Sequence, residues 1–585
     1  MDTPSLQTKP SALAHVMSWA IMATFLILAA IGCWHAWSPV PIGDMWNGTL
    51  GFFVRAQGGD WWAWWDQHNE HRILLARIFF WMDMAWFQGK GWFLLLVNYL
   101  LMVGIGLSFL GIWRERTGGH FPLASAFLFA WVCSWIQYDN LTWGFQSQFL
   151  LAQWLPLLAF YFMHRSSRAS DAGAPMPNGW FWTSVVCGVL SLGTMANGVI
   201  ALPLLAVFTL LLHRSWWQPV LLAVLAAAGV WVYFHGYTAP GGHGSLTQAL
   251  RDNPSGLIEY MLAYLGGPFY YFLGKGEASL KLAQAAAIGM IAWSLWMAIG
   301  SIRAPRQSSL RLAMLCFILY IGGTAVATAG GRLIFGIEQG LTSRYMTPAL
   351  MVWAAFLIAT VPSPFPALSS KTRLAWTVPI VLMLLPMLHF QKKALAPMEE
   401  TLYERDIGAL AIELRIPDQK RIEAVFPNAA WALKIAQWPS EHNLSLFGIE
   451  PWRDLYEQLG EPCTDCRETT SKPATEKRCQ GYIDELVPLS EDSRYLWARG
   501  WAFDRKNPQT GRAGRWTLAD GEGLVRGFVL DGMARPDVAQ AIDPRGSLAG
   551  FSGYVLRQPG GTHLRVQGSA QDCWFDVELP AVQHP

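Results

Sequence analysis

The chain has 585 residues, 52% of them hydrophobic and only 14% charged, against roughly 25% charged in an ordinary soluble domain. Its 43 lysines and arginines nearly balance 41 aspartates and glutamates, so neither nucleic acid nor a strongly acidic or basic partner is implied. The charges are unevenly spread. Before residue 392 apolar runs alternate with short polar punctuation; after it charge density rises and no membrane-length run remains.

A span needs about 20 mostly apolar residues, and on that basis the runs predict a mainly α polytopic membrane protein with about eleven transmembrane helices. In chain order they are Val16–Trp37, Gly91–Trp113, Phe121–Gln137, Gln148–His164, Trp180–Ala196, Asn197–Leu212, Gln218–His235, Leu282–Ile302, Leu312–Gly330, Tyr345–Val361 and Leu374–Phe390. The first is too long for a signal peptide and lacks a small-residue cleavage site, so it reads as a retained anchor. With the N-terminus inside, the short inner loops hold Arg114, Arg116, Arg165, Arg168, Arg214, Arg303, Arg306, Arg311, Lys371 and Arg373, as the positive-inside rule requires. An odd number of spans then places residues 392–585 outside. The expected organisation is a membrane domain over 1–391, a helical connector over 392–480 and a β-rich module over 481–585.

Cysteine usage agrees with that sidedness. Cys33, Cys133, Cys187 and Cys316 fall in spans, whereas Cys463, Cys466, Cys479 and Cys573 all fall in the exported region. An even set in an oxidising compartment favours two disulfides, with three pairings open. Zinc is the weaker reading, because one Cys-x-x-Cys pair has no second pair to answer it.

Nearly all the unusual polar clusters lie on the outer side. The first outer loop, 38–90, places Asp44 just beyond the first span and continues through Asp60 and the run Asp66-Gln67-His68-Asn69-Glu70-His71-Arg72. Tryptophans 61, 62, 64 and 65 suit an amphipathic helix in the membrane interface, although an aromatic belt is ordinary in membrane proteins. His68, Glu70 and His71 offer a divalent metal an alternative home, but without the His-Glu-x-x-His spacing of zinc hydrolases; no cofactor is required. The next outer turn carries Asn140, Trp143 and Gln146, hydrogen-bonding groups with little reason to sit at a span boundary unless they line a cavity. Asn197 caps a tight turn, Tyr237 opens the loop from Gly236 to Lys281, and Arg332, Arg344 and Tyr345 flank the turn between the ninth and tenth spans. These arginines either snorkel to headgroups generally or grip one phosphate with a guanidinium fork.

An outer-face cavity with carboxylates at its mouth and arginines at phosphate depth resembles the GT-C superfamily of polytopic glycosyltransferases. The Asn-Glu-His-Arg, Trp-Gly-Phe-Gln, Ala-Asn-Gly, Gly-Arg and Ser-Arg-Tyr signatures over about residues 16–390 look like a bacterial group of membrane proteins within it. The resemblance implies a polyprenyl-phosphate-linked sugar donor, a glycan, lipid or protein acceptor, and the cytoplasmic membrane with the C-terminal region periplasmic. It implies Asp44 as general base. The paired Asp-Glu of protein mannosyltransferases is absent here, which leaves Glu70 or Asp60 as a second acid. Substrate contacts would come from Asp60, His68, His71, Arg72, Asn140, Trp143, Gln146, Asn197, Tyr237, Arg332, Arg344 and Tyr345. The competing readings are a polymerase or ligase using a polyprenyl-diphosphate glycan, and a transporter; the latter lacks the expected internal repeat.

Beyond the membrane domain, residues 398–460 show helical periodicity. From Gly481 the pattern changes to short apolar stretches between turns, including Tyr495–Ala498, Leu524–Leu530, Arg535–Ala539 and Gly550–Gly553, which predicts an antiparallel β-sandwich.

Overall fold

The computed structural model describes residues 12–118, 121–171, 177–362, 370–463, 479–506, 514–557, 563–568 and 573–578. It is mainly helical and divides into two compact units. The first comprises Met1–His35, Trp61–Phe79 and Leu94–Ala396; the second comprises Ala36–Asp60, Phe80–Phe93 and Pro397–Pro585.

Among the described residues six helices are long and apolar enough to cross a membrane: Ala12–His35, Trp92–Thr117, Trp217–Phe234, Glu277–Ile302, Ser309–Phe335 and Ala375–Leu395. The expectation of about eleven is not reached by length and composition. Pro122–Val132, Pro177–Leu190, Ala201–Leu211 and Met346–Thr360 are helices of 11, 14, 11 and 15 residues. At about 1.5 Å per residue these fall short of a ~30 Å hydrocarbon core. Ser147–Asp171 has 25 residues but is diluted by Gln148, Gln153, His164, Arg165 and Arg168.

Two loop assignments are also corrected. The stretch Gly236 to Lys281 is largely helical, with Leu246–Asp252 followed by the 19-residue helix Pro254–Phe272. Asn253 starts the longer helix, its side chain accepting from Gly256 N–H at 2.9 Å, a standard N-cap. A side chain at Gly266 would meet the Ala283 carbonyl at 2.1 Å, so this helix approaches Glu277–Ile302 backbone to backbone, as small residues allow. The tryptophan cluster is a single 3-10 turn, Trp61–Trp64, rather than an amphipathic helix. Gly59 at φ 86° turns the chain before it and the 68–71 turn follows, so there is no room for more helix.

Buried polar tips inside the first unit find backbone partners, as burial demands. Trp131 Nε1 donates to Leu350 O at 2.9 Å, Trp353 Nε1 to Leu265 O at 2.9 Å, and the Tyr320 hydroxyl to Ala152 O at 2.6 Å. Cys33, Cys133, Cys187 and Cys316 are free thiols.

In the second unit the helices Glu399–Glu413 and Ala429–Glu441 share one core with the sheet. Trp46, Leu50, Phe53 and Met84 pack with Ile407, Leu410 and Phe447 and with Trp497, Phe528, Leu530 and Tyr554. Tyr403 hydroxyl donates to Leu530 O at 3.0 Å, and Tyr554 hydroxyl to Asp418 Oδ2 at 2.9 Å. Helical connector, β module and parts of the 38–90 loop therefore form a single packing unit.

The seven strands are β1 (Cys479–Pro488), β2 (Tyr495–Asp504), β3 (Arg515–Ala519), β4 (Val525–Met533), β5 (Gly550–Leu556), β6 (His563–Gly568) and β7 (Trp574–Glu578). They form one antiparallel sheet in the order β1-β2-β5-β4-β3-β6-β7, not the two sheets of a sandwich. Register shifts at Ile483/Glu485, Leu518/Ala519 and Asp531/Met533 bend it, and its edges meet barrel-fashion. A disulfide joins Cys479 in β1 to Cys573 beside β7, and a side chain at Gly481 would strike the Phe575 ring at 2.2 Å. Trp516, Leu518, Phe551 and Val566 fill the enclosed face. Pro536–Ala541, read as a strand-like stretch, is a short helix opened by its proline.

Candidate functional site

The residues with the strongest chemistry gather in the first unit around a tight turn. His68 N–H donates to His71 O at 2.8 Å and His71 N–H to His68 O at 2.9 Å. Asn69 takes the left-handed conformation, φ 49°, which asparagine tolerates, and Glu70 is left at the tip. Arg72 anchors the turn. It is buried and donates to the carbonyls of Trp65 at 2.8 Å, Tyr233 at 2.7 Å and His235 at 2.8 Å. Its position is that of a scaffold residue, since these bonds commit the guanidinium to the end of helix Trp217–Phe234.

Two side chains converge on the Glu70 carboxylate. Arg332 Nη2 lies 3.2 and 3.3 Å from its two oxygens, and His243 Nδ1 contacts Oε1. Gly244 N–H donates to Gly331 O at 3.0 Å, laying His243 beside Arg332. All three side chains are about four-fifths buried, where charge pairing counts for more than at a surface. Tyr237 is half-buried nearby, and burial followed by the Glu70 charge raises its hydroxyl pKa. His71 Nδ1 accepts from Ala196 N–H at 3.3 Å, and Asn197 Nδ2 donates to Thr324 Oγ1 at 3.2 Å.

A second cluster surrounds Arg344. Asn140, fully buried, donates to Arg344 O at 2.8 Å and to Thr347 Oγ1 at 2.7 Å, and Thr347 donates to Gln137 Oε1 at 2.6 Å. Asp139 N–H donates to Ser343 Oγ at 3.0 Å. Burial pushes the Asp139 carboxyl above its ordinary value, against the opposing charge and N–H of Arg344. The half-buried Arg344 guanidinium rests 5.7 Å from the Tyr345 ring and makes no hydrogen bond or ion pair among the described residues. Tyr260 is fully buried, with a hydroxyl lacking a hydrogen-bond partner among the described residues. Burial raises its pKa, Tyr345 adds to the rise, and Arg332 and Arg344 oppose it. Both arginines therefore act on one phenol.

Aromatic contacts flank both clusters. Phe149 lies 6.4 Å from Tyr345, Phe145 lies 5.0 Å from His68, and Trp143 lies 6.1 Å from Phe145. Gln146 is buried behind them. No family model, curated protein or solved structure matches the chain. The site is therefore read from its own chemistry.

Not every expected residue joins it. Asp44 and Asp60 belong to the second unit. Asp44 is half-buried at the head of the π-helical turn Trp46–Gly51, its carbonyl accepting from Gly48 N–H at 2.7 Å. Asp60 pairs with Arg55 at 2.6 Å on the surface. The disulfide Cys479–Cys573 is formed and Cys463 is also disulfide-bonded; Cys466 lies outside the described residues. Among the described residues Cys479, Asp504 and Cys573 have metal-like spacing, but the two sulfurs are bonded to each other. His68, Glu70 and His71 make no comparable group: Glu70 faces Arg332 and His243, and His71 Nδ1 faces a backbone amide.

Tyr260, Asp139, Thr347 and His243 were missed as site residues. The spacing Tyr260, Tyr264, Tyr271 places three phenols along one helical face, a signal that was present in the sequence.

Proposed function

We propose that the chain is a glycosyltransferase of the GT-C type, moving a sugar from a polyprenyl-phosphate donor to an acceptor hydroxyl outside a bacterial cytoplasmic membrane. The observation that carries this reading is Arg344. A half-buried guanidinium with uncommitted donors, beside a buried phenol and a second arginine, is suited to a phosphate monoanion or diester. In the transfer the acceptor oxygen bonds to the anomeric carbon as the bond from that carbon to the phosphate oxygen breaks, inverting the centre. The phosphate leaves on its lipid, stabilised by Arg344 and Arg332, and a carboxylate takes the acceptor proton. Glu70 is held by Arg332 and His243, so its role is to orient those side chains; the resemblance implies Asp44 as the base.

A disulfide in the C-terminal unit supports an oxidising compartment. With the N-terminus cytoplasmic by the positive-inside rule, an outer C-terminal unit requires an odd number of spans. The test is purified protein with a polyprenyl-phosphate sugar. Asp44→Asn should lower turnover by about 10²–10⁴-fold while donor binding persists. Full activity in Asp44→Asn with loss in Glu70→Gln would move the base to Glu70, and full activity in both would remove carboxylate catalysis.

A further inference from the structure

One corner of the first unit holds polar groups that the phosphate chemistry does not use. Asn98, in helix Trp92–Thr117, is fully buried and donates through Nδ2 to Trp143 O at 3.0 Å. Gln146 N–H donates to the same carbonyl at 3.2 Å, and its side chain is buried too, at 1% exposure. The two carboxamides are thus held on one anchor. Their oxygens, Asn98 Oδ1 and Gln146 Oε1, are buried without a hydrogen-bond partner among the described residues. An acceptor buried in that way carries a desolvation penalty until a donor arrives.

We infer that this corner receives the donor's sugar, and that the sugar is a neutral one whose hydroxyls donate to Asn98 and Gln146. The inference rests on the donor reading above. Hydroxyls supply the missing donors and add no charge. Trp143 is half-buried and, backed by the buried Phe145, offers flat apolar surface against which the C–H face of a pyranose packs. A uronate or amino sugar fits poorly. Neither Asn98 nor Gln146 is hydrogen-bonded to an ionisable side chain among the described residues. Glu70, Arg332 and His243 are paired with one another, and Arg344 serves the phosphate. His68 packs on Phe145 at 5.0 Å, and Asp139 meets Trp143 only through its backbone carbonyl, which accepts from Trp143 N–H at 3.2 Å. A second charge would be buried without a counter-ion, a placement proteins avoid.

The test titrates the full chain in detergent with bare polyprenyl phosphate, with its glucosyl, galactosyl and mannosyl derivatives, and with its glucuronosyl derivative, by native mass spectrometry. At least one neutral sugar should tighten binding roughly tenfold over bare lipid phosphate, the net worth of about one added hydrogen bond. The glucuronosyl lipid should gain nothing. Gln146→Ala should abolish the gain while bare-lipid affinity stays, which also shows that the variant is folded; Gln146→Glu serves as the isosteric companion. Binding of bare lipid with no gain from any neutral sugar, an equal gain from glucuronate, or a gain that survives both variants overturns the sugar assignment alone. Failure of bare polyprenyl phosphate to bind overturns the donor reading and this inference with it.

Discussion

Replacing Cys479 and Cys573 together by alanine tests how the C-terminal unit is held. The bridge spans 94 residues of sequence and joins the two edges of the sheet. In the loop-entropy model a cross-link closing a loop of that length stabilises by about 4–5 kcal/mol. With a urea slope of about 2 kcal/mol/M, that corresponds to a midpoint lowered by roughly 2 M. The assay is pulse proteolysis of the full chain in detergent across a urea series, following a C-terminal tag. Reductant should lower the wild-type midpoint at least as far, since it also opens the bridge at Cys463. A double variant whose midpoint moves by less than about 0.5 M would refute the view that the bridge, rather than the strand ladder, keeps the edges together.

Arg344→Ala should weaken polyprenyl-phosphate binding by about 1.5–3 kcal/mol, roughly ten- to hundredfold, through loss of a charge-assisted contact; unchanged binding by isothermal titration would exclude the arginine from the donor site. The second unit should lose stability as pH rises. Burial lifts the carboxyls of Asp83, Glu413 and Asp531 each to about 7, so the folded state keeps protons that the unfolded chain releases. That contribution is full below about pH 4 and is lost as pH passes through about 7. Urea midpoints at pH 5.5 and 8.5 measure it, Asp531→Asn should flatten the slope, and a profile that rises with pH contradicts the burial argument. A cysteine introduced at residue 307 should resist membrane-impermeant reagents in intact cells while one at residue 437 reacts; labelling at 307 would reverse the topology.

Legibility followed the range of the interaction. The helices of Ala12–His35 and Trp92–Thr117 were readable because twenty-odd apolar residues in a row admit few other fates. The strands were readable from short apolar stretches between turns, but one curled sheet and two stacked sheets share that pattern, and bulges at Ile483 and Asp531 decide between them. Pro254–Phe272 escaped because its glycines, proline and tyrosines dilute hydropathy while still packing as a buried helix. In the site, Glu70, Arg332 and Arg344 stood out as ionisable groups beside apolar runs. Their partnerships did not: Glu70 and Arg332 are 262 residues apart, and no local period reports a contact across that distance. Arg72 looked like a ligand-binding cation for the same reason, until its three carbonyl partners were placed.

The second unit draws its core from both ends of the chain. Val40, Trp46, Leu50, Phe53 and Met84 pack with residues from Ile407 to Tyr554. A ribosome therefore releases the early part of that core several hundred residues before the part that covers it. Until then those side chains are nascent hydrophobic surface on the 38–90 loop, a form in which incomplete chains aggregate. A stop codon near residue 397 should consequently yield more than a protein lacking its last domain. It should yield one whose 38–90 loop is permanently unfinished, a substrate for proteolytic quality control however well its apolar helices insert.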